Sequence, residues 1–105
     1  MGPSKRWTKE EARWRNGCLE FGCVACYFDG NPNTPASMHH IIEANKRLGH
    51  RFTLPLCPPH HMQDSSSGKI SIHPGRNPAF VAKYQSEMWL LGWLEAKLGF
   101  PHAPT

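Results

Sequence analysis

Two short cysteine knuckles, Cys23-Val24-Ala25-Cys26 and Cys57-Pro58-Pro59-His60, limit what this chain can fold into more than any other feature. Each half offers two ligands with two residues between them, the spacing by which a backbone presents side chains to one tetrahedral ion. Cys23, Cys26, Cys57 and His60 therefore read as a structural Zn²⁺ site. The same four cysteines could in principle form two disulfides, but the knuckle spacing and the interleaved histidines favour thiolate–metal bonds in a reducing cytoplasm. Between the halves lies Met38-His39-His40-Ile41-Ile42, and directly after the second half comes His61. One metal frame thus brackets a second group of histidines, an arrangement that points to metal-dependent hydrolysis rather than to a zinc scaffold alone.

A chain of 105 residues is expected to be one domain, with residues 1–7 and 101–105 as flexible ends. Its core is modest at this size, so a metal clamp would add needed stability. The formal net charge of +4 suits a polyanionic partner. No apolar stretch has the length of a membrane span, and the first residues lack the apolar run of a secretory signal, so no membrane role is expected.

Thr8-Lys9-Glu10-Glu11 is a capping box that predicts a helix to about Glu20, stopped by Gly22. Cys18 on that helix reads as a small buried core residue. Tyr27 to Pro35, with its Gly, Asn, Asp and Pro, reads as a loop. Ser37 to Ile42 and His50 to Leu56 read as two strands of a hairpin joined by a polar connection over Glu43 to Gly49. Pro58 and Pro59 suit the first turn of a short helix through Gln63, where a missing N–H costs nothing. A flexible loop follows at Ser65-Ser66-Ser67-Gly68. A long helix is expected from about Pro78 to Leu98, with Phe80, Tyr84, Met88, Leu91, Leu94 and Leu98 on its buried face. Trp89 and Trp93 flank that face and are expected in the core rather than as a base-stacking platform. The fold class is α+β.

Strand, connection, strand and a helix opening on histidine is the order of a ββα-metal hairpin. Hydrolysing a phosphodiester needs a base for water and a cation for the phosphate. Adjacent strand residues point to opposite faces, so His39 and His40 cannot both face one ion; one can hold metal while the other addresses the water.

The pieces Gly22-Cys23-Val24-Ala25-Cys26, Ser37-Met38-His39-His40-Ile41, Leu54-Pro55-Leu56-Cys57-Pro58-Pro59-His60-His61 and Ile72-His73-Pro74, with Phe80 and Tyr84, resemble the HNH endonuclease superfamily. Within it they resemble the phage Ref-type recombination-enhancement nucleases, which cut DNA with the help of RecA filaments. The resemblance implies His40 as general base, and His39, His61 and His73 as ligands of a catalytic divalent metal. That metal would be Mg²⁺, with Zn²⁺, Mn²⁺ or Ni²⁺ able to occupy an all-imidazole shell in purified protein. It also implies the zinc site above, DNA as substrate, the RecA filament as partner, products with 5′-phosphate and 3′-hydroxyl ends, and a bacterial or phage-infected cytoplasm. The family's middle asparagine is absent, since Phe52 or Thr53 occupies that region, so orientation of the base is expected to rest on another group such as a backbone carbonyl.

Lys46, Arg47, Arg51, Lys69 and Arg76 flank the expected site and are candidate phosphate contacts. His50 reads as a plain strand residue, and His102 is assigned no role. Two other classes fit parts of the pattern. A non-catalytic zinc-stabilised nucleic-acid-binding or adaptor domain would need none of His39, His40 and His61. A disulfide-framed protein would carry no zinc under reducing conditions.

Overall fold

The computed structural model describes residues 6–43, 45–62, 68–73 and 77–103. Helix α1 spans Lys9–Phe21 and starts as its capping box dictates: the Thr8 hydroxyl accepts from the Glu11 N–H, and the Glu11 side chain accepts from the Thr8 N–H. Its C-cap is Gly22 at φ +90°. A Cβ there would lie 2.7 Å from the Thr34 carbonyl oxygen, so the chain crosses this point only as glycine. The crossing matters because the next residue, Cys23, donates its N–H to the same oxygen at 2.8 Å.

Helix α2 (Val24–Phe28) occupies the start of the stretch expected as a loop. Cys23 is its N-cap, with Sγ accepting from the Cys26 N–H at 3.4 Å. Its N-cap Cys23 and its first three residues, Val24 to Cys26, are fully buried, and that packing stabilises a helix too short to persist alone.

Strand β1 (Ser37–His40) pairs antiparallel with β4 (Thr53–Leu56), setting His39 opposite Leu54 and His40 opposite Thr53. The connection between them is not featureless. Strands β2 (Ile42–Glu43) and β3 (Lys46–Arg47) form a second small antiparallel ladder. Ile41 joins the two sheets, donating to the Phe52 carbonyl and accepting from the Leu48 N–H. Helix α3 (Pro58–His61) follows β4 at once, with both prolines in its first turn as expected. Residues 63–67, which include Gln63 and the serine run, lie outside the described residues.

The expected long C-terminal helix is two helices. Helix α4 spans Pro78–Tyr84 and α5 spans Glu87–Leu98. Gln85 sits between them at φ +90°, a conformation a non-glycine residue adopts at a cost of about 1–3 kcal/mol. Ser86 then caps α5 by accepting from the Trp89 N–H. The break rotates the apolar stripe. Phe80, Tyr84, Leu91 and Leu94 are buried as expected, but Met88 is 37% and Trp89 47% exposed. Trp93 is partly buried, packed among Phe21, Tyr27 and Phe28.

The core lies between α1, the β1–β4 ladder and α5, with Trp14, Leu54, Leu56, Leu90 and Leu94 at its centre. Cys18 is buried there as a core thiol, its pKa held up by burial. Residues 101–103 are not frayed: the Ala103 N–H and His102 Nδ1 both bond the buried Glu95 carboxylate, at 2.7 and 2.9 Å. Trp7 is likewise packed, stacked on His50 with ring centroids 4.2 Å apart. Among the described residues no helix is long and apolar enough to cross a membrane.

Gly22→Ala should therefore destabilise the zinc-loaded domain by about 1–3 kcal/mol, combining the left-handed φ with the Thr34 contact. A urea unfolding midpoint unchanged from the parent protein would show that the crossing tolerates a side chain.

Candidate metal centres

The first cluster is built where two helix starts meet. Cys23 and Cys26 frame the start of α2, and Cys57 and His60 frame the start of α3. Tetrahedral bonds of about 2.3 Å to sulfur and about 2.0 Å to nitrogen imply ligand–ligand edges of about 3.8 Å between sulfurs and about 3.5 Å from sulfur to nitrogen. His60 Nδ1 lies 3.4, 3.4 and 3.3 Å from the sulfurs of Cys23, Cys26 and Cys57. The Cys26 and Cys57 sulfurs are 3.6 Å apart. All four residues are buried. The donor set fits a structural metal such as zinc, and all four cysteines are free of disulfides.

Proton affinities support the same reading. Burial pushes the Cys23 thiol up to about 12 and raises Cys57. Burial opposes ionisation of Cys26 as well, but nearby hydrogen bonds and the Lys69 ammonium outweigh it and lower that thiol. Three neighbouring thiolates thus need a cation in their midst, which a divalent metal supplies. Burial lowers the pKa of His60 against the opposing pull of Asp29, which favours the neutral, ligating imidazole.

Tyr84, expected only as a core residue, completes this centre together with Asp29 and Lys83, which no local pattern flagged. His60 Nε2 lies 3.1 Å from the Tyr84 hydroxyl and 3.3 Å from Asp29 Oδ2. Tyr84 donates to the Asp29 carboxylate, and Lys83 pairs with the same carboxylate at 3.3 Å. A carboxylate behind a ligating histidine fixes its tautomer and ring plane. Lys69, expected to face DNA, instead approaches the cluster, with Nζ 3.5 Å from Cys26 Sγ.

The second cluster brings together His39, His61 and His73, whose ring nitrogens lie within 4.8 Å of one another. The three rings face each other with centroids 4.9 to 5.6 Å apart. His39 comes from the buried face of β1 and is only 4% exposed. His61 ends α3, one residue after the zinc-site histidine. His73 follows Ile72, whose N–H is tied to the α3 carbonyl of His60 at 2.7 Å. The Ser71 hydroxyl holds the His73 carbonyl at 2.8 Å. Burial lowers the His61 pKa, and the charges of His39, His73 and His40 add to it, so the ring is kept neutral. Glu87 reaches this cluster from the start of α5, with Oε2 2.6 Å from His39 Nε2.

His40 points to the other side of β1, as strand alternation requires. Its Nε2 lies 2.9 Å from His50 Nδ1. His50 is thus no plain strand residue. It lies on the turn before β4, its carbonyl held by the Thr53 hydroxyl and its ring covered by Trp7. Burial lowers the pKa of His40, helped by the charges of Arg47, His50 and His39.

The candidate phosphate contacts divide. Lys46 and Arg47 are exposed on β3. Arg51 is committed to the core: it stacks 4.1 Å over Trp14, pairs with Glu95 at 3.0 Å and bonds the Pro101 carbonyl at 2.7 Å. Arg76 lies outside the described residues. Arg15, which no motif singled out, stacks on Trp7 close to the His40–His50 pair.

Fold and site together define a small α+β domain in which a hairpin leads into a short helix, with a buried Cys3His group able to hold a metal and a second group of three histidines. A family model for recombination enhancement, RecA-dependent nucleases matches residues 7–99. The chain belongs to that family.

Natively purified protein should carry zinc at Cys23, Cys26, Cys57 and His60. Cys57→Ala, or prolonged chelation, should cost the cooperative fold, since such sites supply roughly 10 kcal/mol or more in small domains. Metal analysis by mass spectrometry, paired with circular dichroism, checks both. A folded, zinc-free native protein would refute the assignment.

Proposed function

We propose that this protein is a metal-dependent DNA endonuclease of the HNH type, acting on DNA engaged by RecA, with His40 as its general base. The observation that carries this reading is the division of labour across β1. His39 joins His61 and His73 on one face, and His40 meets His50 on the other. A zinc scaffold alone, or an adaptor that only binds nucleic acid, has no use for a second imidazole cluster beside a separately oriented histidine.

His39, His61 and His73 would hold the divalent ion. When bound, that ion neutralises phosphate charge and stabilises the leaving oxygen. The remaining work falls to the chain's own side chains. With His40 donating its Nε2–H to His50 Nδ1, the His40 Nδ1 lone pair is left to take a proton from water. The acceptor nitrogen of His50 then steadies the imidazolium that forms, as an orienting partner does for a catalytic histidine. The lowered pKa of His40 keeps it in the unprotonated form that a base must have at neutral pH. Thr53 and Trp7 fix His50, so the base is oriented by a side-chain relay in place of the family's asparagine.

His40→Ala should lower cleavage by about two to four orders of magnitude while sparing the fold and the zinc. His39→Ala and His61→Ala should instead be partly rescued by excess divalent ion. The assay uses supercoiled and single-stranded DNA, with and without Mg²⁺ and RecA filaments. Near-parental cleavage by His40→Ala would remove it as the base, and no metal-dependent cleavage of any substrate would leave the adaptor reading standing.

Binding of DNA is expected to be electrostatic and indifferent to sequence, through Lys46 and Arg47 on the exposed ladder. Each phosphate contact contributes about −0.9 to the slope of log affinity against log salt. Replacing both residues by alanine should make that slope shallower by about two, for all sequences alike. Arg51→Ala should leave the slope unchanged and lower stability, because its guanidinium is spent on Glu95 and Trp14. An unchanged slope in the Lys46, Arg47 double variant would put the phosphate path elsewhere.

A further inference from the structure

Glu87 is the side chain at the second cluster that the reading above leaves without a role. Its carboxylate lies 2.6 Å from His39 Nε2, across 48 residues of sequence. Both side chains are largely buried, 5% and 12% exposed. Glu87 falls in the first turn of α5, two residues after Gln85 at φ +90°, where α4 has ended. A carboxylate is favoured in that turn by the helix dipole, which fixes it further.

Two inner ligands of one ion cannot sit so close. Bonds of about 2.1 Å place neighbouring ligands about 3.0 Å apart in an octahedral site and about 3.4 Å apart in a tetrahedral one. A separation of 2.6 Å is instead that of a strong charge-assisted hydrogen bond. His39 Nε2–H is the donor in that arrangement, and Nδ1 keeps the lone pair. The first cluster repeats the plan: His60 turns Nδ1 to the cysteine sulfurs, where it would ligate, and its Nε2 faces Asp29 and Tyr84.

We infer that Glu87 is a positioning residue, which holds His39 by its Nε2–H so that Nδ1 faces the metal with His61 and His73. The inference rests on the histidine cluster being the divalent-metal site. Outer carboxylates of this kind typically change metal affinity by about 10- to 100-fold. The negative charge also makes the His39 ring a better donor to a cation.

The test uses the full, zinc-loaded chain and Mn²⁺, a hard cation that does not displace zinc from thiolates. Free Mn²⁺ is counted by electron paramagnetic resonance, and ring ¹⁵N shifts report the His39 tautomer in the absence of Mn²⁺. Glu87→Ala should weaken Mn²⁺ binding about 10- to 100-fold and release His39 from its Nε2–H form, with zinc content unchanged. Glu87→Gln, whose amide oxygen can still accept from Nε2–H, should retain the tautomer and fall between the two in affinity. Loss of the tautomer is a change that a merely structural helix-start residue would not produce.

Equal Mn²⁺ affinity in parent and Glu87→Ala overturns the positioning role alone. Loss of all Mn²⁺ binding in Glu87→Gln, with the Nε2–H tautomer intact, overturns it in favour of an inner ligand. A parent protein that binds no Mn²⁺, or binds it as well after His61→Ala, overturns the metal site itself and this inference with it.

Discussion

The contact between two helix starts at the Cys3His cluster is what the rest of the molecule hangs on. The β1–β4 hairpin has four residue pairs, and α2 and α3 have five and four residues. None of these pieces is long enough to persist by its own hydrogen bonds. A metal held by this group would join them at once, because Cys23 and Cys26 belong to one helix start and Cys57 and His60 to the end of β4 and the next helix. The hydrophobic core of Trp14, Leu54, Leu56 and Leu94 then packs against a frame already fixed. Asp29, Tyr84 and Lys83 extend the same clamp into α4, so the C-terminal half is anchored to the ligands rather than merely laid over them.

That anchoring explains how a small domain keeps two clusters with different chemistry a few residues apart. The sulfur-rich cluster is closed, fully buried and rigid. The imidazole cluster is only partly covered, with His39 buried and His61 and His73 half-buried. His60 and His61 are consecutive yet serve different clusters, because a helical turn aims neighbouring side chains about 100° apart. His39 and His40 are separated by the pleat of a strand for the equivalent reason. Each adjacent pair thus divides its duties through backbone geometry alone.

Much of this was legible in the sequence wherever the signal was local. The capping box at Thr8 set the start of α1 to the residue, and the knuckle spacing gathered the four ligands of the first cluster. The resemblance grouped His39 with His61 and His73, and the geometry brings them together. What stayed hidden depends on partners far apart in the chain. Glu87 meets His39 across 48 residues, and Arg51 reaches the Pro101 carbonyl across 50. Neither contact leaves a pattern in its own neighbourhood. Arg51 looked like any surface cation, whereas a Trp14 face and a buried Glu95 withdraw it from solvent. The break at Gln85 is the sharpest case: no glycine or proline marks it and the apolar repeat runs through it, so the capping serine at Ser86 is its one local trace. His50 was passed over for a related reason, since its value lies in what stands opposite it.

The pairing of Ser37 with Leu56 has a consequence for how such a chain comes to be correctly made. Cys57 is the next residue after that pair, so the distance from the first knuckle to the second is set by strand alignment. A slip of one residue would put His39 on the wrong face relative to β4 and shift Cys57 away from Cys23 and Cys26. Such a chain could close neither cluster. An ion held at the first cluster would thus check the alignment of the hairpin: a chain that retained it would have its strands in register, with His39 and His40 on opposite sides of β1.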